Sequence, residues 1–215
     1  MQPQKVMIST QNIRFEYNPA TVFEFPDLHC ADGETLLVTG LSGTGKTTLL
    51  HLLAGLLTPK SGSIIVQNTD LARLTGRSLD QVRGRHIGVV FQQAHFVASL
   101  SVLDNLLLAG WLPTGHKNPA KAKALLDRLG IAAQAAKKTA QLSVGQQQRA
   151  AIARALMNDP QVLLADEPTS NLDDENCRLV AELLREQAQL AGSSLVVVTH
   201  DQRLKSLYPN NITLL

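Results

Sequence analysis

Short blocks of consecutive apolar residues recur along the chain, each followed by a turn and then a longer helical stretch. Thr35-Leu36-Leu37-Val38-Thr39 runs into a glycine-rich loop and an expected helix over Lys46 to Leu57. Val162-Leu163-Leu164-Ala165 precedes a turn and an expected helix near Asp174 to Ala191, and Leu195-Val196-Val197-Val198 follows Gly192-Ser193-Ser194. Strands that are apolar throughout are buried on both faces, as in a parallel sheet covered by helices. Residues 6 to 38 behave differently. Ile13-Arg14-Phe15-Glu16-Tyr17 and Phe23-Glu24-Phe25 alternate apolar and polar positions, and Ser63-Ile64-Ile65-Val66 does so less cleanly, which predicts an antiparallel edge sheet. Asn118 to Leu129 and Gln146 to Met157 are rich in Ala and Leu and predict helix; with the strand Ile87 to Phe91 before them, they suggest a helical insertion over about 93–159 within a core of 1–92 and 160–215.

Composition narrows the class. A chain of 215 residues with 44% apolar content suffices for one domain with a real core. The balance of 20 Lys+Arg against 18 Asp+Glu is too close to neutral for an acidic disordered chain or a strongly basic nucleic-acid binder, so no nucleic-acid partner is expected. Charge is uneven, however: residues 112 to 160 hold 8 basic and 2 acidic groups, a local excess of six. That excess is open to two readings, a solvated helical face or a surface toward anionic lipid or a partner. The longest run free of Asp, Glu, Lys and Arg, His86 to Leu103, is interrupted by Gln92, Gln93, His95, Ser99 and Ser101 and is not expected to span a bilayer. The start, Met-Gln-Pro-Gln-Lys-Val, lacks the apolar core of a signal peptide, so a cytoplasmic location is expected. Cys30 and Cys177 are isolated and read as buried or incidental thiols.

Chemistry first appears at Gly40-Leu41-Ser42-Gly43-Thr44-Gly45-Lys46-Thr47, which fits G-x-x-x-x-G-K-[ST] between a strand and a helix. Glycines there let successive backbone N–H groups turn inward around phosphate oxygens, and the helix start adds positive partial charge. Lys46 is suited to reach the terminal phosphates and Thr47 to offer a hydroxyl to Mg²⁺. Gly40, Ser42, Gly43, Thr44, Gly45, Lys46, Thr47 and the adjoining Thr48 are therefore the candidate nucleotide-binding residues. A nucleotide site also fixes the fold class: an α/β P-loop NTPase (RecA-like) core with a parallel sheet, the antiparallel edge subdomain and the inserted helices.

A second apolar strand ends in two carboxylates, Asp166 and Glu167. Ligands of open α/β sheets bind outside the carboxyl ends of the strands, so Asp166 is expected beside Lys46, organising Mg²⁺. Glu167 is suited to orient or deprotonate a water attacking the γ-phosphate. By the same rule His200, after the strand that ends at Val198, belongs on that rim, where an imidazole can bond the γ-phosphate or the water. His29, His51, His86, His95 and His116 read as structural or surface residues.

Leu142-Ser143-Val144-Gly145-Gln146-Gln147-Gln148-Arg149 opens a helix, with Ser143 and Gln146 spaced as a capping box. A phosphate loop, a Leu-Ser-x-Gly-Gln stretch 97 residues after Lys46, then Asp-Glu, Ser-Asn-Leu-Asp and a final His, in that order, resemble the ATP-binding subunits of ATP-binding-cassette (ABC) transporters over nearly the whole chain. The resemblance implies roles position by position. Tyr17, 23 residues before Gly40, stands where the family stacks an aromatic on adenine, a core aromatic being the other reading. Gln92 stands where a glutamine touches Mg²⁺ and the attacking water and senses the membrane partner, with Gln93 adjacent to it. Ser143, Gly145 and Gln146 match the signature that closes on the γ-phosphate bound by the opposite subunit, with Val144 in place of the usual glycine. Ser170-Asn171-Leu172-Asp173 matches the loop that crosses the dimer interface.

The expected function is accordingly that of an ATPase: a motor subunit binding ATP and Mg²⁺, pairing with a second copy of itself around two ATP, and driving separate membrane permease subunits from the cytoplasmic face. The segment Arg85-His86-Ile87-Gly88-Val89-Val90-Phe91-Gln92 and the following Ser101-Val102-Leu103-Asp104-Asn105-Leu106 look most like subunits serving lipoprotein release, macrolide export and cell division. Gln93 to Leu100 is a candidate docking surface, with core packing of Phe96, Val97 and Leu100 as the other reading. The chain ends soon after His200, so no C-terminal regulatory domain is expected. An ATP-gated regulator with little hydrolysis is the alternative, and Glu167 and His200 argue against it.

Overall fold

In chain order the strands are β1 (Val6–Asn18), β2 (Thr21–Glu24), β3 (His29–Ala31), β4 (Thr35–Gly40), β5 (Ser61–Val66), β6 (Thr69–Asp70), β7 (Ile87–Val90), β8 (Val162–Asp166), β9 (Ser194–Thr199) and β10 (Asn211–Leu214). The helices are α1 (Lys46–Leu53), α2 (Gly76–His86), α3 (Val102–Thr114), α4 (Pro119–Arg128), α5 (Val144–Ala155) and α6 (Asp174–Leu190). This computed structural model describes residues 6–170 and 172–215; the first five residues and Asn171, the second residue of the Ser170–Asp173 loop, lie outside the described residues.

Five parallel strands in the order β10-β4-β9-β8-β7 form the central sheet. Side chains of a strand point alternately to opposite faces, and here both sets are apolar. Leu37, Leu163, Ala165, Leu195 and Val197 pack with α3, α4, α5 and α6. Leu36, Val38, Val162, Leu164, Val196 and Val198 face the other way, onto Leu49, Leu50, Leu52 and Leu53 of α1 and onto the second sheet. Burying a Val or Leu side chain stabilises by about 1.5–3 kcal/mol, and a one-residue slip exchanges the two faces, so both registers are held firmly.

The second sheet is antiparallel, in the order β2-β1-β5-β6 with β3 also on β1. Met7, Ile13 and Phe15 of β1 and Ile64 and Val66 of β5 point into the core, while Asn12, Glu16 and Tyr17 do not, so the alternation of these segments translates into one wet and one dry face. The expected strand at Ser63 to Val66 joins it as β5, but its other limits differ: the 6 to 38 part stops at Ala31, Thr35–Gly40 joins the parallel sheet instead, and β6 is added.

The helix after the glycine loop ends at Leu53 rather than Leu57. Gly55 takes φ +63°, and the N–H groups of Leu56 and Leu57 both turn back to His51 O (2.8 and 3.2 Å), closing the helix. Helix α2 has no counterpart in the sequence reading, because it buries no residue and so lacks an apolar stripe. Asn105 of α3 is buried, accepts from Val97 N–H (2.8 Å) and donates to the carbonyls of Val97 and Ser101 (3.2 and 2.9 Å), which pins the segment before α3. Cys30 is fully buried and its thiol is pushed up to about 12, chiefly by desolvation, while Cys177 is 2% exposed.

Strand β7 lies directly against α5. A Cβ on Gly88 would stand 2.5 Å from Ala155 O and 3.0 Å from Pro160 Cγ, closer than any packing tolerates. Gly88→Ala should therefore destabilise the fold by about 1–3 kcal/mol as α5 is forced off the sheet, read as a lower urea midpoint.

Candidate functional site

Parallel register brings the strand ends to one rim. Thr39 pairs with Thr199, Val198 with Asp166 and Ala165 with Val90, so the residues that follow β4, β9, β8 and β7 emerge side by side. They bound a cleft of about 700 Å³ lined by Phe23, Gly40, Leu41, Ser42, Gly43, Gly45, Lys46, Thr47, Thr48, Gln92, Glu167, His200 and Gln202.

The loop of the cleft needs its glycines. Gly43 and Gly45 take φ +89° and +87°, and a Cβ on Gly45 would meet Phe23 Cδ1 at 2.7 Å. Gly45 caps α1 without a side-chain bond, so the first-turn N–H groups of α1 lack intrahelical acceptors at the cleft. Thr44 stays within the loop, its Oγ1 donating to Leu41 O (3.0 Å). Lys46 is only 7% exposed and its Nζ donates to Gly40 O (3.0 Å) and Leu41 O (2.8 Å), which keeps the buried ammonium solvated by backbone.

Thr47, the second residue of α1, donates from Oγ1 to Oδ1 of Asp166 (3.3 Å) at the end of β8. Burial pushes the Asp166 carboxyl up from its ordinary value; the Thr47 bond opposes this, the Glu167 carboxylate adds to it, and His51 and Lys46 lower it. Glu167 has a left-handed backbone, φ +46°, unusual for a side chain branching into a protein, and its N–H is tied to Val198 O (2.8 Å). Its carboxylate accepts from Thr199 Oγ1 (2.7 Å) and His200 N–H (3.1 Å), and His200 Nδ1 stands 2.9 Å from Oε1. With a carboxylate as partner, Nδ1 carries the proton and Nε2 is left for the cleft. Lys46 Nζ lies 4.0 Å from Glu167 Oε1, so the cation and the candidate base already face each other.

Gln92 lines the cleft and its Nε2 donates to Ser170 Oγ (3.3 Å); Gln93 is exposed and is not among the lining residues. Tyr17 is half exposed, edge-on to Phe15 and Phe23, with its hydroxyl 3.2 Å from Thr48 Oγ1 at the margin of the loop. Ser143, Gly145 and Gln146 are not in the cleft. They form the N-terminus of α5, where Ser143 Oγ accepts from Gln146 N–H (3.3 Å) and Gln146 Oε1 from Ser143 N–H (3.1 Å), and Ser143, Val144 and Gly145 are exposed. Gln148 of α5 donates to Pro168 O and so connects that helix to the turn after Glu167. Of the docking segment, Phe96 packs on the core under the Arg154 guanidinium (4.9 Å), whereas Val97 is exposed.

Phe23, Thr199 and Gln202 escaped the sequence reading. Phe23 looked like one more alternating sheet residue, and only its contact with Gly45 brings it to the cleft. Thr199 was legible as the strand's last residue, though nothing local to it signals that its hydroxyl holds Glu167.

Such a cleft fits a magnesium nucleotide. Its glycine-lined floor leaves room that a Cβ would fill, a buried lysine and a helix N-terminus supply positive potential, and the Thr47 hydroxyl beside the Asp166 carboxylate is an oxygen donor set suited to Mg²⁺.

Residues 24–170 match the family model described as ABC transporter. The lipoprotein-releasing system ATP-binding protein LolD of Shewanella frigidimarina is 36% identical over 219 aligned positions, 99% of this chain and 92% of that protein. LolD of Idiomarina loihiensis is 42% identical over 188 positions, 86% of this chain and 82% of that protein. A solved structure, described as the dimeric structure of a post-hydrolysis state of the ATP-binding cassette MJ0796 bound to ADP and Pi, is similar at TM-score 0.84 and 31% identity, covering 97% of this chain and 94% of that one.

Because the folded-state carboxyl of Asp166 is raised, its protonated form is favoured by the fold, and the stabilisation it gives at acid pH is lost as pH rises through the raised value. Asp166→Asn should thus raise the Tm of nucleotide-free protein at pH 7. The gain should shrink towards zero on acidification, as scanning calorimetry across pH would record.

Proposed function

The chain belongs to the ABC transporter family of ATP-binding, ATP-hydrolysing cassettes, and on that premise we propose that it is the motor subunit of a membrane complex, closing as a homodimer around two Mg-ATP. One observation carries this reading: Lys46, Thr47, Glu167 and His200 line one cleft, with Asp166 bonded to Thr47 behind its wall, while the capped start of α5 stands exposed outside it. A helix N-terminus that its own chain leaves uncovered is available to the γ-phosphate held by another copy, which makes nucleotide part of the interface.

In this reading Lys46 exchanges its loop carbonyls for the β- and γ-phosphate oxygens, and the backbone N–H groups of Gly43 to Thr47 cradle the β-phosphate. Thr47 and Asp166 would hold Mg²⁺, with Gln92 beside them, and the bound ion would supply positive charge against the developing phosphate charge. Tyr17 packs on the base. Glu167 takes or orients the proton of the attacking water, and His200, whose Nδ1–H is fixed by Glu167, turns Nε2 towards the γ-phosphate. Ser143, Gly145 and Gln146 of the other copy complete the phosphate's shell, and Ser170 to Asp173 crosses between the copies. A nucleotide-gated scaffold would not need Glu167 held in a left-handed backbone by Thr199 and His200, so we favour the hydrolysing enzyme.

For the membrane partner we propose the groove of about 850 Å³ between α2, α3 and β7 rather than Gln93 to Leu100 alone. Leu56, Leu112, Pro113 and Phe91 give it apolar walls and Arg77 and Arg85 a basic side, with Arg83 paired to Asp80 (2.9 Å), suiting an apolar segment with acidic residues. Phe91 joins the groove to Gln92, which lines the nucleotide cleft. Among the described residues no helix is long and apolar enough to cross a membrane, so we assign this chain to the cytoplasmic face through that partner. Identity to LolD supports a lipoprotein-releasing complex as the setting.

Glu167→Gln should keep ATP affinity, lower turnover by about 100-fold or more, and accumulate an ATP-dependent dimer in light scattering. Lys46→Ala should weaken ATP binding by about tenfold or more, because the charge-assisted phosphate contacts are lost. Wild-type turnover in the first variant, or an ATP-independent mass, contradicts the sandwich. Leu112→Glu should leave basal hydrolysis near wild type and abolish co-purification with the membrane subunit; retained co-purification would remove the groove from docking.

A further inference from the structure

We infer that Arg203 is a positioning residue that clamps the 169–174 segment, which carries the proposed cross-dimer loop, onto the turn bearing His200. The inference rests on the function proposed above and adds how two of its parts move together.

Asp201 directly follows His200. Its Oδ2 accepts from Thr169 Oγ1 (2.9 Å), Arg203 Nη2 (2.7 Å) and Cys177 Sγ (3.3 Å), and its Oδ1 accepts from Arg203 N–H (3.1 Å) and Nε (2.8 Å). The guanidinium thus grips Asp201 with two parallel bonds, the geometry in which arginine is strongest. Its remaining donors point away from Asp201: Nη1 to Asp174 Oδ1 (2.5 Å) and Nη2 also to Leu172 O (3.2 Å). One planar group therefore fastens the segment at Leu172 and Asp174, while Asp201 fastens it at Thr169.

Both ends of this brace reach the reacting groups. On one side, Thr199 and His200 hold the Glu167 carboxylate, so a shift of the Thr199–Asp201 turn moves the candidate base. On the other, Ser170, between the Thr169 and Leu172 fastenings, accepts from Gln92. Asp201 is held well below the usual carboxylate range, chiefly by its bonds from Arg203, so the pair is charged at neutral pH. Lysine cannot replace it: a single ammonium reaches Asp201 but cannot span Asp201, Leu172 O and Asp174 together.

The test uses the full chain, comparing kcat, KM for ATP and Tm of wild type, Arg203→Ala, Arg203→Lys and Asp174→Ala, and ATP-driven dimerisation of the first two in a Glu167→Gln background. Arg203→Ala should lower kcat about tenfold with KM within about twofold, because it misplaces groups without removing phosphate contacts, and should weaken the ATP-dependent dimer about tenfold. Arg203→Lys should recover the Tm yet leave kcat about threefold low. Asp174, with its side chain 92% exposed, can be truncated without harm to folding, and its loss should lower kcat about threefold even if Arg203→Ala does not fold. Wild-type kcat in both Arg203→Ala and Asp174→Ala, or full recovery by lysine, overturns the clamp while leaving the ATPase reading intact. Absence of ATP turnover in the wild type overturns that reading, and the clamp with it.

Discussion

Everything at the cleft depends on the register between β4, β9 and β8. Hydrogen-bonded pairing sets Thr39 opposite Thr199 and Val198 opposite Asp166, and from those two pairs follow the nearness of Lys46 to Glu167 and of Glu167 to His200. No residue of the site enforces this pairing. It is enforced by buried side chains such as Leu195 and Val197 on one face and Val196 and Val198 on the other, which cannot trade places without exchanging two differently shaped cores. Catalytic geometry here is a by-product of apolar packing some distance below it.

Against that firm base, the rim itself is costly. Asp166 is desolvated beside another carboxylate, Glu167 occupies a left-handed backbone, and Lys46 is buried with two loop carbonyls and the Glu167 carboxylate, 4.0 Å away, for company. The two desolvated charges are the features that a polyanion with a divalent cation would compensate, the cation at Asp166 and the anion at Lys46. Buried charge at Lys46 and Asp166 meets the left-handed Glu167 at one rim, which suits that rim to binding. Among the described residues Gln187 Oε1 of α6 is the buried side-chain atom without a partner, and it lies on a helix that backs the sheet rather than on the rim.

Mechanical connection out of the cleft runs through a few polar ties. Gln92 bonds Ser170, Gln148 of α5 bonds Pro168, and Arg203 spans from Asp201 to Leu172 and Asp174. All three end on the eight residues after Glu167. That turn is therefore where the proposed nucleotide state, the second copy and, by way of Phe91 and its groove, the membrane partner can be read together.

The sequence by itself determined the parts whose chemistry is contiguous. Gly40 to Thr47 must present successive N–H groups to one phosphate, so its whole specification lies in eight adjacent letters, and Ser143 with Gln146 specifies a cap within four. The rule that ligands sit at the carboxyl ends of strands was enough to bring Asp166, Glu167 and His200 to the same rim. Only the tertiary structure decided the rest, because those features are made between segments that carry no mark of one another. Phe23 reaches the cleft through a vacancy at Gly45, Thr199 is chosen as the partner of Glu167 by one pairing of two strands, α2 is a helix without an apolar stripe, and Arg203 becomes a clamp because Leu172 and Asp174 happen to face it. Local pattern encodes what a segment is; which segments meet is encoded in the fit of the two cores, and that fit has no local signature.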